Sequence, residues 1–176
     1  TAADTFCGFV LLGYTPVVLG LDVGPLGLVF TAWGVGRAVG ILVVGHRLAH
    51  RVGAVQTLGV AVVGVLVALV LLALDLGTAW SVVVLVGAGV FMGIANANLT
   101  DLSLALGDPD RRVTTGAFNL VRWGFAAPAP VIAGLLHPVS ATAPFWLGAG
   151  ILGLGVGVVV AVGDRRAGGL GARVRG

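Results

Sequence analysis

The sequence contains no lysine and no glutamate: its ten basic residues are all arginine and its seven acidic residues all aspartate. Charged side chains occupy only 10% of the 176 positions, against about 25% in an ordinary soluble domain. The one-sided choice of Arg and Asp reads as a bias of the coding sequence and says nothing about function. Cysteine occurs once, as Cys7, which excludes an internal disulfide. There is no Cys pair, no Cys/His cluster and no H-E-x-x-H with which to hold a metal. There is also no phosphate-binding P-loop. The Ser, His and Asp residues are scattered over separate connectors with no nucleophile elbow. An enzyme reading therefore lacks residues to carry it, and neither cofactor nor metal is expected. The isoelectric point near 10.5 does not indicate nucleic acid, because the Arg residues stand singly or in pairs and form no stripe. The chain opens at Thr1 with no charged stretch ahead of its first apolar run, unlike a signal peptide, and reads as a segment of a longer chain.

What the sequence does have is apolar length. Apolar residues make up 58% of it and the mean hydropathy is +1.10. A soluble chain this short could not bury so much apolar surface, whereas a lipid bilayer removes the need. A spanning helix requires about 20 mostly apolar residues. Six stretches qualify, at about 6–21, 25–45, 52–74, 80–99, 113–136 and 144–162. They are too long, and apolar on too many faces, for the alternating strands of an outer-membrane barrel. The expectation is an all-α membrane protein with one six-helix domain over 1–163 and a basic tail over 164–176. The connectors carry turn chemistry. Asp22 to Pro25, Asp75 to Thr78 and Asp108-Pro-Asp110 are turns, His137-Pro138 closes the fifth stretch, and Thr142 and Pro144 start the sixth.

Arginine placement orients the serpentine. Arg47 and Arg51 follow the second stretch, Arg111 and Arg112 precede the fifth, and Arg165, Arg166, Arg173 and Arg175 follow the sixth. All eight fall on one side of six crossings, while the opposite connectors hold only Asp22, Asp75 and His137. Positive charge stays cytoplasmic. The reading is a multi-pass protein of the plasma (inner) membrane with both ends of the segment in the cytoplasm.

The remaining two arginines lie inside apolar stretches. Arg37 and Arg122 are each about 12–14 Å from the cytoplasmic end of their helix at 1.5 Å per residue. A central Arg costs roughly 2.5–3.5 kcal/mol on the lenient insertion scale, so such a residue usually faces a bundle interior and a partner. Asn119 shares a helical face with Arg122. Asn96, Asn98 and Asp101 close the fourth stretch, and together these residues would line the cytoplasmic half of a substrate or proton pathway. The competing reading for Arg122 is a structural clamp between the fourth and fifth helices. No acid lies near Arg37 in sequence, so its partner is expected elsewhere.

Glycine is abundant, with 30 residues. Gly36-x-x-x-Gly40, Gly89-x-x-x-Gly93 and Gly153-x-x-x-Gly157 have the spacing of close helix packing. Pro128 and Pro130 sit inside the fifth stretch, where they free backbone carbonyls and bend the helix. Gly148-x-Gly150-x-x-Gly153 matches a dinucleotide fingerprint only in spelling, since no strand precedes it.

Two stretches carry a resemblance. Gly45-His-Arg-Leu-Ala-His-Arg-Val-Gly53 resembles the cytoplasmic G-x-L-A-D-R-x-G-R loop of the major facilitator superfamily. Leu48, Ala49, Arg51 and Gly53 match it, while His46, His50 and Ala54 depart from it. Thr115 to Gly124, followed by Pro128, Pro130 and Gly134, looks like helix eleven of bacterial drug:proton antiporters of that superfamily. The resemblance implies a major-facilitator-like half bundle of two inverted three-helix repeats, with Leu48, Arg51 and Gly53 in a cytoplasmic gating loop. It also implies a missing N-terminal six-helix half (or a second copy) across the pathway, and proton-coupled efflux of small amphipathic compounds. Lipophilic substrates need few charges, and few are present here. An uptake or metabolite-export carrier, or a six-helix scaffold that transports nothing, are the alternatives. No acid is read as buried within a span, so the proton-coupling acid is expected in the other half.

Overall fold

The computed structural model describes residues 2–105, 111–136 and 138–157, which are helical nearly throughout, with no strand among them. Helix α1 is Ala2–Leu19 and α2 is Val23–Val39. A π-helical segment, Gly40–Gly45, runs from α2 into α3, His46–Val52. They make one continuous rod of 30 residues, Val23–Val52. Next come α4 (Ala54–Ala73), α5 (Thr78–Ala105), α6 (Arg111–Ala126) and α7 (Ala129–Leu136). The last described helix, α8, is Ala143–Gly157.

Among the described residues, three helices are long and apolar enough to cross a membrane: Val23–Val52, Ala54–Ala73 and Thr78–Asp101. Their outward faces are apolar too. Leu28, Leu42 and Val55 are each 73% exposed, which water would not tolerate over so wide a surface. The chain is a helical membrane protein.

Helix limits differ from the apolar runs in informative ways. Helix α1 starts at Ala2 and takes in Asp4, which an apolar-run criterion stops short of. The second rod continues through Leu48 and Arg51, so the segment expected as a loop is helical up to Gly53. There φ is +91° and the chain turns into α4, a conformation glycine adopts without steric cost. The fifth stretch is broken, as its prolines require. Helix α6 ends at Ala126, Ala127 and Pro128 form a turn, and α7 resumes at Ala129. The Asp108-Pro-Asp110 turn, His137, Arg165, Arg166, Arg173, Arg175 and the 164–176 tail lie outside the described residues.

Small residues set the closest approach. The Cβ missing from Gly36 would stand 2.9 Å from the Val86 carbonyl oxygen, and that missing from Gly89 2.5 Å from the Trp33 oxygen. One at Gly40 would overlap the Val90 carbonyl, and one at Gly93 the Arg37 carbonyl. Two of the Gly-x-x-x-Gly motifs thus face each other across α2 and α5, the backbone-on-backbone packing such motifs permit. The third is not used this way: at Gly153 and Gly157 an added Cβ meets nothing within 4 Å. Helix α4 closes on α5 where Gly64 receives the Phe91 ring.

Helix α1 is held by the other end of the bundle. Phe6 meets Phe125 at a ring distance of 6.1 Å, and Phe9 meets Trp123 edge-on at 5.9 Å. Pro130 packs under Gly13. The Cys7 thiol donates to the Gly148 carbonyl of α8 at 3.4 Å. Val10, Leu11, Leu69, Leu85, Met92 and Phe145 fill the space between these contacts and are essentially fully buried.

Candidate functional site

Among the described residues, three charged side chains lie within electrostatic reach inside this apolar bundle. Arg122 comes from α6, Arg37 from the middle of the Val23–Val52 rod, and Asp4 from the first turns of α1. Arg122 is 9% exposed and Asp4 only 4%. The Arg122 Nε donates to Thr5 Oγ1 at 2.9 Å, a bond strengthened by the guanidinium charge. The guanidinium lies 5.2 Å from the centre of the Trp123 ring, and that of Arg37 lies 5.4 Å from the Trp33 ring. Both are within the distance at which an aromatic face attracts a cation. Asp4 lies within the electrostatic reach of both arginines.

Two polar atoms of this neighbourhood are buried without a hydrogen-bond partner: Asp4 Oδ1 and Trp33 Nε1. Most buried polar groups are paired, and an exception calls for an explanation. The cluster therefore holds one acceptor and one donor that the chain itself leaves unanswered, beside two cations and one acid. It could receive an acceptor-bearing small molecule, or exchange a proton at the acid. Among the described residues no group of three or more metal-ligating side chains occurs.

The expected partners of Arg122 are arranged differently. Asn98 is buried, but its Nδ2 donates back to the Ile94 carbonyl at 2.9 Å. The Asn96 carbonyl accepts from Thr100 Oγ1 at 2.8 Å, so these bonds stay within α5. Asn119 and Asp101 are exposed. Pro128 lies in the α6–α7 break and Pro130 in the first turn of α7, beyond Arg122 along the chain. Leu48 and Arg51 ride on α3, where Arg51 is exposed.

No acid is expected mid-span, and the structure adds a buried one at the start of α1, Asp4. It escaped notice because it precedes the first apolar run. The signal was its spacing: Asp4, Cys7 and Leu11 repeat at helical intervals of three and four, and all three are buried. Asp4 also supplies the acid that Arg37 lacks in its own sequence neighbourhood.

The fold and its buried charges define a helical membrane protein with a polar centre between α1, α2 and α6. No protein-family model matches the chain. In an alignment that covers 88% of its length, it is 30% identical to a Bacillus subtilis (strain 168) protein named Multidrug efflux protein YfmO. The chain spans 38% of the length of that relative.

Proposed function

We propose that the chain is the C-terminal six-span half of a secondary transporter of the major facilitator type. It expels small amphipathic compounds by alternating access in exchange for protons. The observation that carries this reading is the charged cluster of Asp4, Arg37 and Arg122 enclosed in lipid-suited helices, since intramembrane charges of this kind mark substrate and ion pathways. The likeness to a multidrug efflux protein over part of its length supports the efflux direction and a small-molecule substrate. Helix contacts support the repeat. The second rod packs on the fourth helix through Gly36, Gly40, Gly89 and Gly93, and the third helix packs there too. In turn α6 and α7 pack on α1, with α8 beside them. Exchanging the first three helices for the last three maps one set of contacts onto the other, and maps Arg37 onto Arg122.

In this reading Arg122, Asn119, Asn96, Asn98, Asp101 and Arg37 border the pathway. Leu48, Arg51 and Gly53 belong to the cytoplasmic gate, and Pro128 and Pro130 give α6–α7 its bend. The test is ethidium efflux from cells of an efflux-deficient bacterium expressing the full reading frame that contains this chain. Expression should lower dye retention, and a proton uncoupler should abolish the effect. Arg122→Gln should reach the membrane at the parent's level and lose efflux. Unchanged efflux in that variant would remove Arg122 from the pathway, and dye retention equal to empty cells would overturn the transport reading.

A further inference from the structure

We propose that Asp4 is a proton-exchanging group of this half, switched by movement of the Arg122 guanidinium between Thr5 and Asp4. The inference deepens the transport reading above and rests on it for the coupling to substrate. The geometry supplies the parts. Asp4 and Thr5 are adjacent on α1 and both are buried. Arg122 Nε is bonded to Thr5 Oγ1, while Asp4 Oδ1, next to it in the chain, has no hydrogen-bond partner.

A buried carboxyl has two tolerable states. It is neutral and protonated when it stands alone, or ionised when a cation satisfies it. With Arg122 on Thr5, the first state is favoured. If the guanidinium turns to Asp4, the O–H bond breaks, the proton passes to water on the side then open, and the carboxylate remains paired with Arg122. No other reactant is needed, and the reverse movement takes a proton back up.

Among the described residues, three titratable groups bear on Asp4. Arg37 from α2 and Arg122 from α6 bear on it from other helices, and Cys7 lies one turn along its own. The movement has a source in the backbone: Arg122 lies on the last turns of α6, just before the Ala127–Pro128 break. Tilting α6 against α7 changes its distance to α1 without unfolding either helix.

Infrared difference spectra of the purified full-length protein, recorded across the physiological pH range, test this without any substrate. The parent should show a protonated-carboxyl band that titrates, moves when aspartate is labelled with carbon-13 at the carboxyl, and disappears in Asp4→Asn. If Asp4→Asn does not fold, Asp4→Glu decides the matter. Its titrating band should persist and lose its sensitivity to labelled aspartate. A band that survives in Asp4→Asn, or stays label-sensitive in Asp4→Glu, belongs to another residue and overturns the proposal, as does the absence of any titrating band in the parent. In proteoliposomes, Asp4→Asn should lose ethidium movement driven by a pH gradient. Gradient-driven movement that persists in Asp4→Asn would also overturn it. If the parent itself moves no dye, the transport reading fails, and the spectra still decide whether Asp4 exchanges a proton.

Discussion

A guanidinium inside a membrane bundle must be satisfied by neighbours, and the neighbours of Arg122 are now specific. Its Nε bond to Thr5 Oγ1 is buried, and a hydrogen bond to a charged group contributes roughly 1.5–3 kcal/mol. Thr5→Val, which keeps the shape and removes the oxygen, should lower the thermal midpoint of the detergent-solubilised protein. Thr5→Ser should stay close to the parent. Equal midpoints for the two variants would mean that the bond contributes nothing to stability. At this scale the sequence was half legible. Arg37 and Arg122 announce themselves, because a charge inside an apolar run is conspicuous. Asp4 does not, because it stands at the edge of a run, where an acid looks like an ordinary helix-start residue. Only the packing of α6, α7 and α5 onto α1 turns that edge into an interior.

Helices were legible as apolar runs, and their contacts were legible where glycine spacing forces close approach. The three Gly-x-x-x-Gly motifs look alike in sequence, and the partner alone separates them. At Gly93 a methyl group would enter the Arg37 carbonyl, whereas at Gly153 it meets open space. Gly93→Ala should therefore destabilise the bundle by about 1–3 kcal/mol, as overpacking does. It should also disturb Arg37 through its own backbone. Gly153→Ala should be neutral or stabilising, since Ala is favoured over Gly in a helix by up to about 1 kcal/mol. Comparing unfolding midpoints of the two single variants checks the contrast, and a loss of similar size in both would mean that the α2–α5 approach is looser than described. The π segment Gly40–Gly45 had no sequence signature. It lies where Gly40 and Gly45 back onto α5, so its wider turn belongs to the packing of two helices rather than to local preference.

For the whole molecule the question is which ends face which side. Three crossings return a chain to the opposite face of the membrane, so a second set of three necessarily enters inverted. That is why the exchange of helix contacts described above is consistent with a serpentine of six. Arginine placement then assigns the sides. In the proposed orientation the turn at Gly53, between the Arg51-bearing α3 and α4, faces the cytoplasm, and the Asp75–Gly77 turn faces the outside. Ala54 and Leu76 flank these turns and are exposed, so each can carry a reporter with little effect on packing. In the full reading frame, freed of other cysteines by changes that include Cys7→Ser, Leu76→Cys should react with a membrane-impermeant maleimide in intact cells. Ala54→Cys should react only after permeabilisation. The reverse pattern would invert the orientation and place the His46–Arg51 segment outside. Labelling of both sites in intact cells would break the serpentine at α4, a helix whose 20 mostly apolar residues match the thickness of the hydrocarbon layer, and with it the count of six.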